Sequence, residues 1–151
     1  MMKLTPHFSL AEFTFSETAR KEGIPNVPSE RQIVSMRALC ENVLEPARAH
    51  FGRPVRITSG FRSPELCVAV GSSKRSQHAK GEAADFEIAG ISNYEVACWI
   101  RDHLRFDQLI LENYHRGHPN SGWIHCSYRT DRARHSVLTY ARRKYFAGLL
   151  T

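Results

Sequence analysis

The segment Ser76-Gln-His78-Ala-Lys-Gly81-Glu-Ala83-Ala-Asp85 sets an imidazole and a carboxylate seven residues apart with a glycine between them. Both groups are metal ligands, and Gly81 lets the chain turn from a loop into a strand, so local geometry can bring the two side chains together. Farther on, Trp123-Ile-His125-Cys-Ser places a further histidine in the middle of an otherwise apolar run. A catalytic zinc takes about three protein ligands from His, Asp, Glu or Cys and keeps a fourth position for water. The trio is sufficient in number and kind. On residue types alone a histidine inside an apolar strand is more often a satisfied core residue than a ligand, and both readings stand at this point.

The elements that must position these residues can be read from pattern. Phe8, Leu10, Phe13 and Phe15 mark an N-terminal arm over residues 8–20, in which Ser9 caps a short helix beginning Leu10-Ala-Glu-Phe13. The turn-rich stretch Gly23-Ile-Pro-Asn-Val-Pro-Ser29 leads to a capping box, Ser29 with Gln32, and to a long helix with an apolar stripe of Ile33, Met36, Leu39, Cys40, Val43 and Leu44. Pro46 bends that helix or lies near its end. The alternating, β-branched run Val55-Arg-Ile-Thr-Ser59 predicts a strand entering a Gly60-Phe-Arg-Ser-Pro64 turn, with a short helix over 64–69. Residues 71–81 read as a loop and Ala83-Ala-Asp-Phe-Glu-Ile88 as a second strand. A helix over 93–104 follows, capped by Ser92, and then two strands, 108–112 and 123–128, joined by a polar loop. Residues 132–147 read as a basic, amphipathic C-terminal helix. With no internal repeat and no linker, the expectation is a single α+β domain over residues 1–151.

The pattern Ser76-x-His78-x-x-Gly81-x-Ala83-x-Asp85 resembles the S-x-H-x-x-G-x-A-x-D signature of zinc D-alanyl-D-alanine carboxypeptidases and peptidoglycan L,D-endopeptidases, the VanY-like metallopeptidases, including their phage endolysin branch. The resemblance continues through Ile57-Thr-Ser-Gly-Phe-Arg-Ser-Pro64, Phe106-Asp-Gln-Leu-Ile-Leu-Glu112 and Gly122-Trp-Ile-His125, and covers roughly residues 54–128. It implies one Zn2+ ion held by His78, Asp85 and His125, and a small central antiparallel sheet flanked by helices. It also implies hydrolysis of peptide bonds in peptidoglycan stem peptides, as a carboxypeptidase or endopeptidase. Some relatives carry the basic carboxylate three positions before the last ligand, in an E-x-x-H arrangement; here that position is Gly122. Glu112 resembles the Glu that closes the preceding strand in the branch with a Trp-x-His strand, and is the candidate base. Arg62 matches a family arginine that faces substrate, where a guanidinium holds a carboxylate or polarises the scissile carbonyl. Ser76 is expected to hydrogen-bond near the metal or substrate. The alternative, motivated by the missing E-x-x-H glutamate, is a non-catalytic, zinc-containing wall- or protein-binding module of the same fold, as in hedgehog-type relatives.

Composition narrows the partners. With 151 residues, 42% apolar and 24% charged, the chain can fold without disulfides or a structural metal, so a bound metal is expected to be functional. Cys40, Cys67, Cys98 and Cys126 form no C-x-x-C pair, which argues against a zinc knuckle or a thioredoxin-type site. The opening Met-Met-Lys-Leu-Thr-Pro lacks the apolar stretch of a signal peptide. The expectation is therefore a protein made in the cytoplasm with reduced thiols, acting on the cell wall after release by another protein. No run approaches the roughly 18 apolar residues of a transmembrane segment. The formal charge of +6 favours polyanions, and Arg132, Arg134, Arg142, Arg143 and Lys144 point to anionic outer-membrane or wall polymers. No recognised nucleic-acid motif accompanies the charge, so no specific nucleic acid is expected. His115 and His118 lack accompanying carboxylates and read as exposed or substrate-contacting rather than as a second metal site.

Overall fold

The computed structural model describes residues 2–151. The chain opens with a small hairpin, β1 (Lys3–Thr5) and β2 (Phe8–Ser9), which runs into α1 (Leu10–Thr14). Ser9 caps α1 as expected: its hydroxyl oxygen accepts from the Glu12 amide, and the Glu12 carboxylate accepts from the Ser9 amide. After α2 (Glu17–Glu22), the same reciprocal cap at Ser29 and Gln32 opens α3 (Glu30–Leu39).

Pro46 does not end the long helix. The turn Cys40–Leu44 widens to a π-helix, in which the Glu45 amide bonds the Cys40 carbonyl five residues back, and α4 (Glu45–Phe51) then continues to Gly52. A proline ring at position 46 collides with the carbonyl four residues earlier and offers it no N–H, and a widened turn accommodates both defects.

The remaining elements are β3 (Val55–Ser59), α5 (Pro64–Ala69), a 3-10 turn (Gln77–Lys80), β4 (Ala83–Ile88), α6 (Asn93–His103), β5 (Gln108–Glu112), β6 (Trp123–Ser127), β7 (Ser136–Ala141) and β8 (Lys144–Ala147). Six strands form one sheet in the order β3-β4-β6-β5-β7-β8. The α+β class agrees with the sequence, but the small antiparallel sheet is only part of a larger, mixed one, because β7 lies parallel to β5. Alternation assigns the two faces. Phe86, Ile88, Leu109, Leu111, Ile124 and Cys126 point into the core shared with Met36, Leu39 and Val43 of the long helix and Val96 and Ile100 of α6. Asp85, His125 and Glu112 project from the opposite face.

The expected C-terminal helix is a β-hairpin. Ser-Val-Leu-Thr-Tyr is rich in strand formers, and Arg142 and Arg143 both adopt left-handed backbone, φ 52° and 63°, as a two-residue hairpin turn requires. That turn carries none of the Gly or Asn that normally announces it.

Arg132 and Arg134 lie on no helix face. Both guanidinium groups fork onto Asp107, whose carboxylate is fully buried: Arg134 donates through Nε and Nη2 at 2.9 Å each, and Arg132 at 3.2 and 3.1 Å. Gln77 Nε2 adds a bond at 3.0 Å. One carboxylate thus joins the start of β5, the approach to β7 and the turn that carries His78. Burial opposes ionisation of Asp107, but the bonds from Arg134 and Arg132 outweigh it and hold the carboxyl well below the usual range.

Because the folded value lies below the unfolded one, near 3.9, the stabilisation by Asp107 is complete above about pH 4 and is lost as pH falls through the folded value. Asp107→Asn should lower unfolding free energy at pH 7 by about 2–3 kcal/mol, the lower end of a broken buried pair because both arginines reach water. Denaturant titrations from pH 7 to pH 2 should also show a shallower acid loss in the variant; parallel curves would contradict this role.

Candidate metal centre

His78 is delivered by a clamped turn. The Ser76 hydroxyl oxygen accepts from the His78 amide at 3.2 Å, so Ser76 acts on the backbone of the turn. Gly81 ends the turn with φ +73°, and a Cβ there would stand 2.4 Å from the Gln32 carbonyl oxygen, so α3 presses directly on it. Gln32, already part of the α3 cap, donates its side-chain amide to the Ala79 carbonyl at 3.1 Å. The Arg62 amide donates to the His78 carbonyl at 3.2 Å, closing the loop after β3 onto the same turn.

Asp85 and His125 are register partners in the antiparallel β4–β6 pair, so their side chains leave the same face side by side. His125 Nδ1 lies 3.0 Å from Asp85 Oδ1, and His78 Nε2 lies 3.3 Å from the same oxygen. His78 Nδ1 is 2.7 Å from the Gly60 carbonyl oxygen, which can only accept, so Nδ1 carries the proton and Nε2 presents its lone pair to the cluster. One ligand atom from each of the three residues falls within 4.8 Å of the other two, and this is the one such group of three metal-ligating side chains found among the described residues.

The donor set fits zinc. Metal–ligand distances of about 2.0–2.1 Å in a tetrahedron place neighbouring ligand atoms roughly 3.3 Å apart, close to the spacings from Asp85. The Gly60 carbonyl supplies the outer hydrogen bond that orients a metal-binding imidazole. All three residues are buried, with His78 only 2% exposed. Burial lowers the His78 pKa against the pull of Asp85 and favours the neutral, ligating imidazole. For Asp85 burial works against ionisation, but the charge and hydrogen bonds of His78 and His125 prevail and hold it well below the carboxylate range.

Glu112 closes β5 on the same face as His125, two residues beyond Ile110, which is the register partner of His125. Burial pushes its carboxyl up; the charges of His125 and Arg62 oppose that rise and the charge of Asp85 adds to it. Among the described residues it has no ion-pair partner. Gly122 explains the absent E-x-x-H glutamate: its φ is +69°, and a Cβ would sit 1.8 Å from the Glu112 carbonyl oxygen, so no side chain fits there. Arg62 is near enough for its charge to act on both His78 and Glu112. Its Nε is buried without a hydrogen-bond partner, and among the described residues no carboxylate pairs with it. An unpaired guanidinium beside a metal site is available to an anionic ligand.

His115 and His118 face each other across the β5–β6 loop, tied by Ser121, and among the described residues gather no third ligand. Gln32, Gln77, Asp107 and the Gly60 carbonyl together fix the turn, and the sequence marks Gln32 only as part of a helix cap and gives the other three no role. Gln77, inside the motif yet not a ligand, was the one signal of this support.

Three protein ligands leave a fourth position on zinc open, as in catalytic sites, whereas structural zinc sites are closed by four. The sequence model of the family described as Peptidase M15 matches residues 6–127, and the chain belongs to that family of zinc metallopeptidases. No curated protein matches the chain.

Dialysis against zinc should load one ion per chain, measured by elemental analysis. His125→Ala and Asp85→Ala should each weaken binding by about 100-fold or more, since each removes one of three donors. At zinc 100-fold above its dissociation constant the parent should gain about 2.7 kcal/mol of stability, and the variants, at the same zinc, almost none. Equal zinc affinity in parent and variants would place the ion elsewhere.

Proposed function

We propose that this chain is a zinc peptidase that hydrolyses peptide bonds in the stem peptides of bacterial peptidoglycan, working as a phage or prophage endolysin. The observation that carries this reading is the pairing of two unpartnered, opposite charges, Glu112 and Arg62, around a three-ligand metal cluster. A purely structural metal site has no use for either.

When bound by His78, Asp85 and His125, zinc supplies the positive charge that acidifies a water near neutral pH and polarises the scissile carbonyl. Glu112 takes the proton of the attacking water on its carboxylate and passes it to the departing amine. Its raised pKa suits both halves of that task, because a more basic carboxylate removes a proton more readily and the acid it forms still returns it. Arg62 holds a substrate carboxylate or the carbonyl oxygen as negative charge develops there.

Stem peptides suit such a site because they carry free carboxylates, and the net charge of +6 favours approach to anionic wall polymers. Synthesis in the cytoplasm followed by action on the wall after release belongs to the same reading. No helix among the described residues is long and apolar enough to cross a membrane.

Incubation with purified peptidoglycan, followed by mass spectrometry of the released muropeptides, tests the proposal. Glu112→Ala should lose about 10²- to 10⁴-fold in kcat while still binding one zinc. Full activity in that variant removes Glu112 as the base. An inert parent with zinc bound supports instead the non-catalytic wall- or protein-binding module.

A further inference from the structure

The family match ends at residue 127, so β7 and β8 are elements of this chain beyond it. Their place in the sheet is specific. The parallel β5–β7 register pairs Leu111 with Thr139, which sets Tyr140 beside Glu112 on the next step, and the β7–β8 register pairs Tyr140 with Tyr145. The Tyr114 amide bonds the Tyr140 carbonyl at 2.9 Å and holds β7 against the end of β5. With strands about 4.8 Å apart, Tyr140 stands about 5 Å and Tyr145 about 10 Å from Glu112 along one row of the catalytic face.

The two rings touch, with centroids 4.6 Å apart, and Tyr145 remains 59% exposed. The two-residue hairpin turn next to them is made of Arg142 and Arg143, both exposed, and among the described residues neither has an ion-pair partner. Burial and the charge of Glu112 both raise the Tyr145 phenol, as expected of a ring reaching towards that carboxylate.

We propose that the β7–β8 hairpin is a substrate-binding wall on the Glu112 side of the site, where Tyr140 and Tyr145 pack along a peptide chain and the Arg142-Arg143 turn takes its carboxylates. The occupant is an acidic peptide segment of the substrate. Continuity with the catalytic row and complementary charge identify it. The wall rests on the peptidase reading and gives it a preference: peptides with free carboxylates distant from the scissile bond are bound more tightly than the same peptides amidated at those positions.

Steady-state kinetics of the zinc-loaded full chain on a synthetic acidic stem peptide, and on its amidated counterpart, tests this. Tyr145→Ala should raise KM about 5- to 10-fold with kcat within about twofold, a loss of binding without loss of chemistry, and Tyr145→Phe should restore the parental KM. The double change Arg142→Gln and Arg143→Gln should raise KM for the acidic peptide alone. An unchanged KM in the Tyr145→Ala and double variants, or an equal penalty on both peptides in the double variant, overturns the wall. Binding of the same peptides to zinc-loaded Glu112→Ala chains, with and without the hairpin changes, separates the two claims. A parent that binds acidic peptides in a Tyr145-dependent way but cuts nothing refutes the peptidase reading and leaves the wall standing, whereas hydrolysis indifferent to the hairpin does the reverse.

Discussion

Asp85 and His125 face each other across one antiparallel strand pair, and every other feature of the site depends on that register. A slip of one residue would turn one of the two towards the core and leave the other facing outwards alone. The register is fixed from behind, because the same alternation that sends Asp85 and His125 outwards sends Phe86 and Ile124, a register pair themselves, into the core beneath the helices. The apolar packing therefore specifies the chemistry without touching it.

Holding a carboxylate and two imidazoles together out of water is unfavourable unless a cation sits among them. The surroundings prepare for that. Gly60 fixes the tautomer of His78, while Ser76, Gln32 and the Arg62 amide immobilise the turn that carries it. Gln77 links the same turn to Asp107, and through it to both arginines that precede β7. The ligands are thus set by rigid elements on three sides, which keeps the cost of organising the site within the folding of the protein rather than the binding of the ion.

Local signals in the sequence were legible. The caps at Ser9, Ser29 and Ser92 need only a few residues to be seen, and all three hold in the structure. His78 and Asp85 were visible for the same reason. His125 stood out as a candidate third ligand, but that it meets Asp85 depends on a strand pairing 40 residues apart, and the family resemblance decided between ligand and core residue. The resemblance likewise carried Glu112 and Arg62, and the structure adds why Gly122 could not be an acid. The C-terminal hairpin was missed because two arginines occupy the left-handed turn positions and give a basic amphipathic stretch the look of a helix. Asp107 was missed because its arginine partners lie 25 and 27 residues away and Gln77 lies 30 away, separations at which pattern says nothing.

The most direct measurement is zinc-edge X-ray absorption on the zinc-loaded protein. The account predicts a four-coordinate ion with two imidazole nitrogens and light oxygen donors at about 2.0–2.1 Å, losing one imidazole shell in His125→Ala. A sulfur shell at about 2.3 Å, or a spectrum unchanged by that substitution, would show that the ion lies elsewhere and that the His78, Asp85 and His125 cluster is not a metal centre.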